Sequence, residues 1–327
     1  MWNPEKTAII LNPAAQGGRV GRRWASVYAA HQAILGGTTV LPTTPEARGA
    51  VQTRRALETG RFDTLLAVGG DGTFHEVVNG LWDGQEGVAD IRLGLLPMGT
   101  GGDFRRLLCG GAGADLAQRI ARLPQAAEHR MDLGWCTYVD DEGQPGREAF
   151  LNVASFGAGG LVDREVNKSR KRLPGWLAFG TAMWKVVRAY RPPVVRLSDE
   201  TEEVFFEGSI LNVALGNGQY YAAGFHVAPR ALLDDGLLEV VVLQPGTLPE
   251  LIVGAARKRR GAHLDHALVR YRRVRTLRAE IVGEGSAYLD LDGEAPGMVP
   301  ASFGVLSRAL SVLDLDPRHL SCSQVPA

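Results

Sequence analysis

The residues whose types and spacing could do chemistry lie where apolar runs meet glycines. The stretch "LLAVGGDGTFHEVVNGL", residues 65–81, carries a strand-like run into Gly69-Gly70-Asp71-Gly72-Thr73 and then at once into a helical pattern. Glycine admits positive φ and lets a ligand come close to the backbone. The N–H groups at a helix start favour an anion, by typically ~0.3–1 kcal/mol and up to ~2 when partly buried. The loop is therefore a candidate phosphate cradle; the plain alternative is a tight strand-to-helix turn with Thr73 as its cap. The design recurs in "LGLLPMGTGGDF" (93–104), with Gly99, Thr100, Gly101, Gly102 and Asp103. It recurs again in "ILNPAAQGGRVG" (10–21), with Asn12, Gly17, Gly18 and Gly21. Three such loops after three parallel strands would line one sheet edge, where open α/β sheets bind ligands. That recurrence favours phosphate over mere turns. The Walker pattern GxxxxGK[ST] and the dinucleotide pattern GxGxxG are both absent, and nothing resembles the protein-kinase loop set.

The elements that must position these loops follow from the pattern of apolar runs. "TAIILN" (7–12), "TTVL" (38–41), "FDTLLAV" (62–68) and "IRLGLLP" (91–97) read as strands. Helical stretches separate them, one running to about Leu35 and one starting at Pro45 as its first residue and ending near Gly60. Strands alternating with helices imply a parallel sheet, and near-continuous apolar runs imply burial on both faces. After "LPQAAEHR" the texture changes to short β-rich runs, from "HRMDLGWCTYVD" and "REAFLNVASFG" to "SAYLDLDGE", separated by turn signals such as "DEGQPG". This predicts a mainly antiparallel β domain, interrupted by helices at 175–190 and near 247–260. The expected domains are 1–128 and 129–320, with strands near the end free to return to the first domain, and a loose tail at 321–327.

The composition excludes several classes. The 327 residues carry 36 basic and 36 acidic side chains, so net charge gives a nucleic-acid partner no support. Cys109, Cys136 and Cys322 are odd in number and widely spaced, which suits reduced thiols in a cytoplasmic protein. The N-terminus lacks a signal-peptide pattern. No run approaches ~18 apolar residues, so no transmembrane helix is expected.

"VGGDGTFHEVVNGL" and "LPMGTGGDF", preceded by "NPAAQGG" and followed by "LDLDGE" (289–294), resemble the diacylglycerol kinase catalytic family, which includes bacterial soluble lipid kinases and the sphingosine kinases. The resemblance spans nearly the whole chain. It implies a Rossmann-like α/β nucleotide domain of the NAD kinase and diacylglycerol kinase type, a C-terminal β-sandwich, and an ATP- and Mg²⁺-dependent lipid kinase. By resemblance, Asn12, Thr44, Gly69, Gly70, Asp71, Gly72, Thr73, Glu76, Gly99 and Thr100 contact ATP. Asp292 matches the general base that would take the proton of a lipid hydroxyl. Glu294, on the same side if the chain is extended, would join Asp71 in a Mg²⁺–water network. Taken alone, the "DGE" reads as a plain turn; beside the GGDGT loop it reads as catalytic. "APRALLDDGLLEVVVL" (228–243) resembles the family's structural Mg²⁺ stretch, with Asp235 and the carbonyls of Leu232 and Leu237 as ligands; a type I turn is the alternative.

The chain departs from the family at Gly102 and at His75, where asparagine is usual. A hydrogen-bonded loop histidine is the ordinary role for His75, with titration near neutral pH the other. Trp176, Phe179, Met183 and Val187 suit either core packing or an acyl groove. The basic stretches 167–172, 257–260 and 270–278 suit either solvated faces or peripheral contact with anionic lipid at the inner face of a membrane. The strand 270–278 is equally open to a second copy of the chain in a homodimer. The competing functions are an NAD kinase, which shares GGDGT but not "LDLDGE", and a non-catalytic lipid- or nucleotide-binding regulator.

Overall fold

Runs of five and six consecutive buried residues, Thr7–Leu11 (β1) and Thr64–Gly69 (β3), show why the first strands carry no polar alternation: they are covered on both faces. The computed structural model describes residues 2–85, 87–98, 102–104, 106, 115–161, 190–221, 224–247, 250 and 261–315. The chain forms two compact units. One comprises Met1–Leu133, Leu232–Asp235 and the chain from Leu306; the other comprises Gly134–Ala231 and Gly236–Val305.

In the first unit β1, Thr39–Pro42 (β2), β3 and Arg92–Pro97 (β4) run parallel in the order β2-β1-β3-β4. Helices Ala15–Ala30 (α1), Gln32–Leu35 (α2), Gly49–Glu58 (α3) and Asp71–Leu81 (α4) lie between the strands. Leu116–Arg122 (α5) follows β4. Ile9, Leu66 and Val68 meet Val20, Trp24, Leu35 and Ile120 in one core. Two expectations are corrected. The first helix ends at Ala30, and a separate turn, α2, continues to Leu35. The helix expected from Pro45 starts instead at Gly49, because Thr44 and Ala47 close a turn around Pro45 through Thr44 N–H to the Ala47 carbonyl (3.0 Å) and Ala47 N–H to Thr44 Oγ1 (3.1 Å).

The strands Glu128–Val139 (β5) and Met298–Leu313 (β17) each pass from one unit into the other. In the second unit β5 and the start of β17 join Pro145–Phe150 (β6), Val194–Asp199 (β8), Val204–Ser209 (β9) and Thr276–Ile281 (β15) in one sheet. A second sheet has the order β14-β13-β10-β7-β16, with β7 Val153–Gly157, β10 Asn212–Gly216, β13 Leu238–Leu243, β14 Val269–Val274 and β16 Leu289–Leu291. The hairpin Tyr220–Tyr221 (β11) and Phe225–His226 (β12) stands apart. Inward residues of both sheets, including Phe150, Leu197, Leu277 and Phe303 from one and Phe156, Val213, Val240 and Leu289 from the other, make a single core. This is a β-sandwich, as expected. The run "REAFLNVASFG" is two strands in different sheets, broken at Leu151 and Asn152. Among the described residues no helix is long and apolar enough to cross a membrane.

The rings of Phe156 and Phe303 stack between the two sheets at 5.7 Å and 17°, both fully buried. Phe303→Ala leaves a cavity there and is expected to lower the unfolding free energy by about 3–5 kcal/mol, read by urea denaturation.

Candidate functional site

In the first unit, the loops after β1 and β3 are tied together by side chains. Asn12 Nδ2 donates to Thr73 Oγ1 (3.0 Å), Asn12 Oδ1 accepts the Ala14 N–H (3.1 Å), and the Asn12 N–H donates to the Val68 carbonyl (3.0 Å). Thr73 therefore serves a partner 61 residues away rather than capping its own helix. Gly70 is the N-cap of α4 and supplies no side-chain cap. Gly69 must be glycine, since a Cβ there would run into Thr73. After β1 the chain takes left-handed φ at Gln16 (55°), Gly17 (63°) and Gly18 (81°) before α1 becomes regular. A close-approach glycine, a helix start without a side-chain cap and a tied Asn–Thr pair fit phosphate oxygens at this sheet edge. The loop after β4 meets this edge through the Met98 N–H on the Gly69 carbonyl (2.7 Å). Gly99 and Thr100 lie outside the described residues.

Other expected contacts have visible partners. Both oxygens of Glu76 hold the start of α3, accepting the Gly49 N–H (2.6 Å) and the Arg48 guanidinium (2.7 Å from Nε). Thr44 closes the turn described above. His75 is buried inside α4, not in a loop, with Nε2 3.3 Å from Asn79 Nδ2. Gly102 accepts the Arg106 N–H (2.7 Å), and Asp103 pairs with the Arg106 guanidinium (2.8 Å).

In the second unit, Asp292 sits in a two-residue turn. Leu291 and Glu294 exchange backbone hydrogen bonds (2.7 and 3.0 Å), and Asp292 and Gly293 both have positive φ (52° and 95°). That is the backbone Asp-Gly suits in a tight hairpin. The expected extended chain through Glu294 is thus replaced by a turn, because strand pairing closes there. The Asp292 carboxylate reaches over to the break between β6 and β7. Oδ2 accepts the Leu151 N–H (2.6 Å), and Oδ1 accepts the N–H groups of Asn152 and Val153 (3.0 Å each). Asn152 and Asn217, which gather round this corner, were not singled out from the sequence. Their signal was an asparagine inside apolar runs, in "FLNVAS" and "ALGNG".

The 232–237 stretch divides between the units, with Leu232 and Asp235 in the first and Leu237 in the second. Gly236 takes φ 69°. Among the described residues no group of three or more His, Cys, Asp or Glu side chains could hold a metal ion, so a cation there would depend on carbonyl oxygens. Nearby in sequence, Glu239 is buried and accepts the Tyr271 hydroxyl (2.7 Å) and the Arg230 N–H (3.0 Å). Burial pushes its carboxyl above the ordinary value, against those bonds and the pull of Arg273 and Arg230. In the basic strands, Arg272 pairs with Asp199 and Glu203 and lies 5.0 Å over the Phe205 ring, and Arg278 pairs with Glu280 (2.8 Å). These arginines belong to ion-paired strand faces. The stretches 167–172 and 257–260, the helix 175–190 and most of the helix near 247–260 lie outside the described residues.

Known proteins resemble this chain in sequence and in fold. Residues 6–136 match the model of the diacylglycerol kinase catalytic domain, and residues 152–314 match that of the YegS C-terminal NAD kinase beta sandwich-like domain. The diacylglycerol kinase of Bacillus subtilis (strain 168) is 30% identical over 257 residues, 77% of this chain and 78% of the relative. The chain belongs to the diacylglycerol kinase catalytic-domain family. The diacylglycerol kinase of Staphylococcus epidermidis RP62A is likewise 30% identical, over 80% of this chain and 77% of its own length. A crystal structure of a diacylglycerol kinase from Bacillus anthracis str. Sterne superposes with a TM-score of 0.65 at 19% identity, covering 94% of this chain and 96% of that one. Yeast NADH kinase complexed with NADH shares the fold more distantly, with a TM-score of 0.54 at 13% identity over 95% of this chain and 83% of that one. This kinase-family chain thus has the parallel α/β sheet and β-sandwich of both groups.

Two outcomes follow. Glu76→Gln weakens the tie on Gly49 and Arg48 and is expected to lower the unfolding free energy by about 1–2 kcal/mol; an unchanged denaturation midpoint would contradict that role. Glu239 has a raised folded pKa, so its contribution to stability is present below the unfolded value and is lost as pH rises through the folded one. The Glu239 share of stability should therefore fall as pH is raised from about 4.5, read as the stability of wild type relative to Glu239→Gln declining in denaturation curves taken across the range.

Proposed function

We propose that the protein is an ATP- and Mg²⁺-dependent lipid kinase that phosphorylates the hydroxyl of a diacylglycerol-like lipid. The observation that carries the nucleotide half is the Asn12–Thr73 hydrogen bond, which joins two glycine-rich loops at one sheet edge beside the uncapped start of α4. When bound, MgATP supplies the transferable γ-phosphoryl group with its charge neutralised. The first turn of α4, Gly69–Thr73 and Asn12 bind and orient its phosphates, and by family resemblance Gly99 and Thr100 are further nucleotide contacts. Asp71 would hold Mg²⁺ through its carboxylate, with Glu294 available to the waters around the ion; Mg²⁺ commonly keeps waters and substrate phosphates as its other ligands. Asp235, with the carbonyls of Leu232 and Leu237, offers the oxygen donors that suit a second, structural Mg²⁺.

Asp292 takes the proton of the acceptor hydroxyl as that oxygen bonds to phosphorus and the bond to ADP breaks. Its carboxylate is already fixed in direction by three backbone N–H groups, which is the preorganisation a positioned base needs. A lipid acceptor requires the cytoplasmic protein to meet a membrane from its surface. The family membership and the 30% identity to named diacylglycerol kinases support this acceptor class.

The test is transfer from γ-labelled ATP, with and without Mg²⁺, to vesicles containing diacylglycerol, phosphatidylglycerol or a sphingoid base, and to NAD in solution. Mg²⁺-dependent label in diacylglycerol is expected, and Asn12→Ala should raise KM for ATP roughly 10-fold. Label in NAD alone would establish a small-molecule kinase instead. ATP binding with no transfer to any acceptor would establish a regulator.

A further inference from the structure

The corner at Leu151–Val153 is held from two stretches of chain. One is the Asp292 turn. The other is the segment 217–220: the N–H groups of Asn217 and Gly218 both donate to the Asn152 carbonyl (2.9 and 2.7 Å), and Asn217 Nδ2 donates to the Leu151 carbonyl (2.7 Å). The Asn152 side chain completes the link by donating from Nδ2 to the Tyr220 carbonyl. Tyr220 in turn stacks on His226, with ring centroids 4.6 Å apart and planes 13° from parallel, and both rings are partly exposed. The His226 ring is 3.1 Å from Gln219 Oε1.

Asn152 is 6% exposed, yet its Oδ1 has no hydrogen-bond partner among the described residues. A buried amide oxygen in that state is a cost that alanine or serine at the same place would not carry. What the asparagine side chain contributes in return is the bond from Nδ2 to the Tyr220 carbonyl, made by the residue whose backbone N–H already sits on Asp292. Buried polar groups that burden the fold in this way gather where function constrains the sequence.

We propose that Asn152 is the positioning residue of the acceptor site, coupling the Asp292 carboxylate to the Tyr220–His226 ring pair so that both keep one arrangement about the acceptor hydroxyl. The inference rests on Asp292 as the base. Asn152 acts through that carboxylate and takes no proton itself. The ring pair gives the acceptor a flat, partly exposed surface next in sequence to the corner that holds the base.

The test is a double-mutant cycle on the full chain, with kcat, both KM values and thermal unfolding measured for wild type, Asn152→Ala, Asp292→Asn and the pair. Asn152→Ala should lower kcat roughly 10- to 100-fold and leave KM for ATP within about 3-fold, with little change in Tm. In the Asp292→Asn background it should lower kcat no further, because a residue acting through the base has nothing left to position. Wild-type kcat in Asn152→Ala beside an impaired Asp292→Asn would overturn the proposal alone. So would equal losses in both backgrounds, or loss of cooperative unfolding in both Asn152→Ala and Asn152→Ser. Wild-type kcat in Asp292→Asn would remove the base and the positioning role together.

Discussion

One carboxylate accepting three successive backbone N–H groups is the constraint on which the second unit turns. At Leu151 and Asn152 the chain leaves one sheet of the sandwich and enters the other, and neither sheet's ladder satisfies the N–H groups at that crossing. A buried N–H without an acceptor costs about 1–3 kcal/mol, so three of them would make the crossing unstable. Asp292 accepts all three, from a turn whose positive φ at Asp292 and Gly293 aims the carboxylate there. A group that satisfies the crossing is thereby also held rigid, with its direction set by backbone instead of flexible side chains. That rigidity is the property a base must have to meet a hydroxyl without reorganising.

The first unit solves a different problem with similar means. A parallel sheet leaves its loops at one edge, and helix starts there lack partners for their first N–H groups. Here Asn12 spans from the β1 loop to Thr73, so the two loops share one side-chain bond and α4 begins without a side-chain cap. Glu76, one turn further along α4, faces α3 and sets where it begins. Polar side chains on α4 thus serve both neighbours, while Phe74, Val77, Val78 and Leu81 fill the core.

The fold class was legible because the signals were local. Strands buried on both faces read as unbroken apolar runs at 7–12 and 62–68, and turn residues cut the second half into short strands. The glycine loops were legible for the same reason, since type and spacing sit within a dozen residues, whereas Asp292 stood out only through the family resemblance of "LDLDGE". What escaped was set by distant partners. The start of α3 depends on Glu76, which is 27 residues away in the chain, as well as on the turn between Thr44 and Ala47. The break inside "REAFLNVASFG" depends on Asp292, about 140 residues on, and the lone Asn152 marks it only weakly. Asn152 and Asn217 each sit singly within apolar runs, and only their shared corner reveals what they hold. The "LDLDGE" stretch was weighed as turn or site, and its turn is what directs its carboxylate.

The central claim is that Asp292 performs the proton transfer and is not merely a pin. The most direct measurement is a rapid-quench single turnover at saturating MgATP and diacylglycerol, comparing wild type with Asp292→Asn, a residue that keeps the Asx-Gly turn. The account predicts a chemical step slowed roughly 100-fold or more in a variant that still unfolds cooperatively and binds ATP as the wild type does. A variant with the wild-type rate for that step, folded and bound alike, would contradict it.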